Sequence, residues 1–173
     1  MNRVGPELLS TLLDEHAAAL TLYARQWCDC PEDVVQEAFV LLARQAEPPA
    51  NVVGWLYRVV RNGAISQSRA SGRRQRHEAA AARGNEPWFT PTPDDRLDAE
   101  TAARALEELP LEQRETIVAR LWGGRSLDEI ATLTGASTST VHRWYHAGLS
   151  ALRERLGETC RNQRTGKPEF PRS

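Results

Sequence analysis

The chain has 173 residues, 40% apolar and 26% charged, with a formal net charge of −1. This is the composition of an ordinary soluble globular protein, long enough for one medium domain or two small ones. No apolar run approaches the ~20 residues needed to cross a bilayer, and Met1 to Ser10 has no apolar core of signal-peptide type, so a cytoplasmic chain without membrane contact is expected.

The near-zero net charge conceals sorting along the chain. Arg58, Arg61, Arg69, Arg73, Arg74, Arg76 and Arg83 share one stretch with Glu78 as its acid, and an acidic stretch from Glu86 to Glu108 follows. Lys167 is the sole lysine. Arginine offers a planar fork of donors suited to phosphates and guanine edges. Cys28, Cys30 and Cys160 are odd in number and lack metal-knuckle spacing, so neither a structural disulfide nor a metal site is expected.

The first helix is expected from Pro6 to Trp27, where Leu8, Leu9, Leu12, Leu13, Ala17, Leu20 and Ala24 recur at helical spacing. Pro31 suits the first turn of a second helix, and Glu32 and Asp33 suit its positive end. Val34, Val35, Ala38, Leu41 and Leu42 form its apolar face, and Pro48-Pro49 limits it. Asn51 caps a third helix with an apolar face of Val52, Trp55, Leu56, Val59, Val60 and Ile65. That helix turns polar and Arg-rich after Ser66, and Gly72 weakens it. Gly84 to Asp95 reads as a flexible linker with Pro87, Pro91 and Pro93. Trp88 and Phe89 within it either pack on a neighbouring domain or dock a partner.

A second helical block follows from about Leu97 to Leu156, broken at Pro110 and at Gly123-Gly124. Its sharpest signal begins at Ser126, which with Glu129 makes a capping box. Ile130, Ala131 and Leu133 give the short helix a packed side, and Thr134-Gly135-Ala136 supplies a turn with a left-handed glycine. Ser137 or Thr138 caps a longer helix with an inward stripe of Val141, Tyr145, Gly148, Leu149, Leu152 and Leu156. Ser137, Thr138, Ser139, His142, Arg143 and His146 then point outward, as the N-terminal part of a DNA-reading helix requires. His142 and His146 also have the spacing of a helical metal pair, but a third ligand is not evident.

The chain resembles the sigma-70 family, extracytoplasmic-function (ECF) group, over Leu12 to Leu156. Pro31 to Phe39 resembles the polymerase-binding helix of the sigma-2 domain, and Gly54 to Asn62 the helix facing the minus-ten element. Leu106 to Pro110, with Gln113-Arg114 and the helix-turn-helix, resembles sigma-4. The resemblance implies an all-α fold of two small helical domains joined by a flexible linker. A three-helix sigma-2-like domain spans 6–83, the linker 84–96, a four-helix sigma-4-like domain 97–156, and a disordered tail 157–173.

The resemblance also implies a non-enzymatic protein without a cofactor, whose partners are core RNA polymerase (clamp helices and flap), promoter DNA and an anti-sigma factor. Asp33, Gln36 and Glu37 match positions that face the clamp helices. Asn62 matches a position that contacts an unstacked minus-ten base, Arg58 and Arg61 match phosphate contacts, and Arg69, Arg73, Arg74 and Arg76 extend that track. The connection Gln45 to Val53 is shorter than the family's usual loop. Trp144 replaces a common basic residue and either stacks on sugar or packs inward. One alternative is a helix-turn-helix regulator that does not bind polymerase. Another is a metal-dependent hydrolase using His16, His77, His142, His146 or the cysteines, which are scattered and lack a complete ligand set.

Overall fold

A computed structural model describes residues 4–75 and 96–165, and the described residues form helices with no strand among them. Helix α1 spans Pro6–Ala24, α2 Pro31–Ala43, and α3 Val52–Gln75. The second block contains α4 (Arg96–Glu107), α5 (Leu111–Leu121), α6 (Leu127–Thr134) and α7 (Thr138–Thr165).

Local chemistry sets most of the boundaries. Pro6 and Pro31 occupy the first turns of α1 and α2, where proline's missing N–H costs nothing. The Asn51 side chain accepts from the Gly54 N–H at 2.8 Å, which caps α3 as expected. Helix α1 stops at Ala24, short of Trp27; the Trp27 N–H bonds to the Ala24 carbonyl in a closing turn. Gly124 at φ 61° lets the chain leave α5. In α6 the capping box is complete: the Glu129 N–H reaches Ser126 Oγ at 3.1 Å, and the Ser126 N–H reaches Glu129 Oε2 at 2.8 Å. Gly135, at φ 74°, makes the reversal into α7. Ser137, not Thr138, caps α7, accepting from the Thr140 N–H at 3.2 Å.

One expectation needs correction. A disordered tail was expected from residue 157, but α7 runs on to Thr165. A single helical glycine costs only ~1 kcal/mol, which the surrounding helix-compatible residues tolerate. Residues 166–173 lie outside the described residues, as do 76–95, which hold Trp88, Phe89 and 84–95 of the expected linker. The two helical blocks also pack against each other, α1 on α5 and α3 on α6, a contact the sequence did not indicate.

The first block is a three-helix unit around Leu20, Tyr23, Ala38, Leu42, Leu56 and Val60, all fully buried. Each such Leu or Val contributes roughly 1.5–3 kcal/mol by leaving water. In the second block α5 lies on α7 and α6 on α7. Gly148 marks a close approach of α7 to α5, since a Cβ there would lie 2.5 Å from Cδ1 of the buried Ile117. The buried cluster does not stop at the boundary between blocks. It continues from Tyr23 and Tyr57 into Val118, Ala119, Ile130 and Val141.

Candidate polymerase and DNA interfaces

The helix-turn-helix consists of α6, the Gly135 turn and α7. Ser137, Thr138, Ser139, His142, Arg143 and His146 are all exposed, on the outer side expected from the helical period. Their chemistry divides them. The Ser137 hydroxyl accepts the helix cap and lies 3.0 Å from Ser139 Oγ and 2.9 Å from Thr140 Oγ1. Thr138 donates to Asp128 Oδ1 at 2.8 Å, tying the start of α7 to α6. These two hydroxyls therefore bond within the motif, one capping α7 and the other tying it to α6. Ser139, His142, Arg143 and His146 project beyond them. The His142 and His146 rings stack at 6.1 Å, and Tyr145 meets His146 edge-on at 5.6 Å. Among the described residues no cluster of three His, Cys, Asp or Glu could hold a metal. Trp144 is half-buried and packs against the main core.

On α2, Asp33, Gln36 and Glu37 are exposed at i, i+3, i+4 spacing and so share one helix face. Asp33 and Glu37 border a cleft of about 570 Å³ between α2 and α3, whose far wall carries Val59, Asn62, Gly63 and Gln67. Gly63 permits this helix pair to approach, because a Cβ there would sit 3.1 Å from Val34 Cγ1. The acids matched to polymerase and the amide matched to DNA thus open onto the same cleft.

The described arginines of α3 differ in exposure. Arg58 and Arg69 are exposed, as is Asn62. Arg73 and Arg74 lie on α3 with side chains outside the description, and Arg76 lies outside the described residues. Arg61 turns inward. Its Nε donates to Glu115 Oε1 at 2.7 Å and its terminal nitrogen to Glu115 Oε2 at 3.4 Å. The guanidinium also lies over the Trp27 ring, 5.8 Å from its centroid. Burial pulls the Arg61 pKa down, but the bond and charge of Glu115 more than offset it, and the group is held above its ordinary value.

Glu115, on α5, is 3% exposed and was not anticipated from sequence. Its other partner is the Tyr23 hydroxyl, which donates to Oε1 at 2.5 Å. Burial first, and the neighbouring carboxylate second, push Tyr23 well above the usual phenol range. Beside this cluster Arg125 lies over the Tyr57 ring at 5.7 Å, and burial pushes the Tyr57 phenol up to about 12 against the pull of Arg125. Arg125 also pairs with Glu129 at 3.0 Å, and Asn51 reaches Glu129 at 3.4 Å. Glu129 is held below the usual carboxylate range, mainly by the Ser126 backbone N–H. Gly123 faces Tyr57 so closely that a Cβ would come within 2.4 Å of the hydroxyl. The signal for this interface is slight: an acid at 115 beside the apolar run of Ile117 and Val118.

Two family models match the chain. Sigma-70 region 2 covers residues 12–74, and Sigma-70 region 4 covers residues 99–152. The chain is 33% identical over 135 residues to the RNA polymerase sigma factor CarQ of Myxococcus xanthus, spanning 73% of this chain and 75% of that protein. It is similar to the sigma factor RpoE in its complex with the anti-sigma factor NepR from Bartonella quintana. That match has a TM-score of 0.65 and 27% identity, over 87% of this chain and 94% of that one. CnrH, solved with the cytosolic domain of CnrY, shares the fold at a TM-score of 0.61 and 22% identity, over 89% and 90% of the two chains. With a region 2 unit, a region 4 helix-turn-helix and a relative of this extent, the chain belongs to the sigma-70 family, in the ECF group of non-enzymatic RNA polymerase sigma factors that direct promoter-specific initiation.

Proposed function

We propose that this sigma factor divides its work between the α2–α3 cleft and the outer face of α7. The observation that carries the reading is the shared cleft, in which Asp33 and Glu37 stand across from Asn62. Asp33, Gln36 and Glu37 dock on the basic clamp helices of core polymerase. Asn62 meets an unstacked minus-ten base, its amide being able to pair with a base edge. Arg58, Arg69, Arg73, Arg74 and Arg76 follow the phosphates, and Arg61 joins them when released from Glu115. On α7, Ser139, His142, Arg143 and His146 contact the minus-thirty-five duplex, while Ser137 and Thr138 position them. Melting is driven by binding free energy, and two linked sites gain from effective concentration. The reading places the chain in the cytoplasm with polymerase, and no helix among the described residues is long and apolar enough to cross a membrane. The RpoE structure is a complex with an anti-sigma factor; by analogy an anti-sigma protein is a further partner of this chain.

The test is in vitro transcription with core polymerase and genomic DNA, with the start sites mapped. The double variant Asp33→Ala, Gln36→Ala should weaken core association while isolated residues 97–156 keep their DNA binding. Unchanged core association would refute the role of the α2 face.

A further inference from the structure

Glu115 is the most deeply buried charged side chain among the described residues, and both of its side-chain partners come from the opposite helical block. It belongs to α5 of region 4, whereas Tyr23 and Arg61 belong to α1 and α3 of region 2. Among the described residues, the side chains that bond to it, Tyr23 and Arg61, belong to region 2. A carboxylate buried without partners is strongly disfavoured, so its burial is tied to the two blocks being together. Around it the contact is built for closeness. Gly123 admits Tyr57, Arg125 covers the Tyr57 ring, and Asn51 reaches Glu129 across the boundary.

This arrangement conflicts with promoter reading at two points. Arg61 has both of its bonded nitrogens on Glu115 and cannot give them to a phosphate at the same time. In addition, α6 of the helix-turn-helix lies on α3, where Glu129, Thr132 and Leu133 face Arg58 and Trp55 across a cleft of about 340 Å³. Elements named for positions minus ten and minus thirty-five stand about 25 base pairs apart, or roughly 85 Å of duplex at ~3.4 Å per base pair. Two blocks in direct contact cannot read both.

We propose that Glu115 is the latch of an autoinhibited free form: by gripping Tyr23 and Arg61 it holds region 4 on region 2 until core polymerase separates them. The proposal rests on the functional reading above. A chain that is ~90% closed binds an open-state partner about tenfold more weakly than one that is wholly open.

The experiment compares the full-length wild type with Glu115→Ala and Tyr23→Phe. Small-angle X-ray scattering reads compactness, and titration against immobilised core polymerase reads apparent affinity. Glu115→Ala should enlarge the radius of gyration and tighten apparent core binding by about tenfold. Tyr23→Phe, which keeps the ring and removes the hydroxyl, should move both readouts the same way by less. Far-UV circular dichroism checks the helices; if Glu115→Ala loses them, Tyr23→Phe decides the matter alone. A wild-type radius in the folded variants, or an expanded chain with unchanged core affinity, would overturn the latch. Absence of core binding by every form, wild type included, would instead refute the functional reading and the latch's regulatory role with it.

Discussion

Gly148 and Gly157 lie on the same helix, and replacing each with alanine should have opposite effects. In α7 either replacement gains about 1 kcal/mol of helix propensity. At Gly157 an added Cβ meets nothing within 4 Å, so that gain should stand nearly alone. At Gly148 the Cβ would lie 2.5 Å from Ile117 Cδ1 and 3.3 Å from Gln113 Cβ. Carbon atoms rest at about 3.5–4.0 Å, so α5 and α7 must part by about 1 Å or Ile117 must leave its rotamer. Ile117 is fully buried and has little room to move. Overpacking of this kind costs about 2 kcal/mol, which exceeds the propensity gain. Gly148→Ala should therefore be about 1 kcal/mol less stable than wild type, and Gly157→Ala up to about 1 kcal/mol more stable. Urea denaturation followed by circular dichroism compares the three midpoints. Adding Ile117→Val to Gly148→Ala removes the clashing methyl, so the pair should cost less than the sum of its members. Parallel rises in the two alanine midpoints would refute the argument that Gly148 is there for helix contact.

Two further outcomes are expected. Arg143→Ala should lose about 1–3 kcal/mol in binding a minus-thirty-five duplex, while a phosphate-contact loss would instead reduce the salt slope; an unchanged titration would remove α7 as the reader. The second concerns alkaline pH. An unfolded tyrosine releases its proton near 10, whereas folded Tyr57 holds its proton to about 12 and Tyr23 is shifted the same way. Between those values the unfolded chain binds fewer protons than the folded chain, so stability falls as pH rises. Urea midpoints measured across this range should fall less steeply in Tyr57→Phe and Tyr23→Phe than in wild type, and equal slopes would sink the assignment.

What could be read from the sequence was local. Ser126 with Glu129, Gly135, Asn51 and Pro31 each act within one helical turn, and each does in the fold what its chemistry demands. The outer face of α7 follows from the same periodicity, as does the exposed acidic face of α2. The contact between blocks could not be read this way. Arg61 and Glu115 are 54 positions apart, and Tyr23 and Glu115 are 92 apart. An arginine next to an asparagine in a matched DNA-facing segment reads as a phosphate contact, because periodicity says which side of a helix a residue is on and not what covers that side. Ser137 and Thr138 illustrate a milder version. Both are outward as expected, and their hydroxyls also bond to the cap and to Asp128, partners that periodicity does not show.

The strength of the closed contact follows from its composition. Within the apolar cluster that runs across the boundary sits an ion pair bonded to a tyrosine hydroxyl, and a buried ion pair recovers little more than its own desolvation cost. What such a pair does supply is geometry. Arg61, Tyr23 and Glu115 satisfy one another in only one docking of the blocks, and removing any one leaves a buried polar group without its partner. The polar part of the contact is therefore specific without being strong. On the latch proposal, core polymerase and DNA open it by offering Arg61 a phosphate and returning Glu115 to water, so that neither charge is left stranded. An apolar seam of the same area would give up its burial with no such exchange, and separation would cost more. The charge on Glu115 therefore makes the closed form both well defined and reversible, and a leucine in its place would be expected to lose the second property.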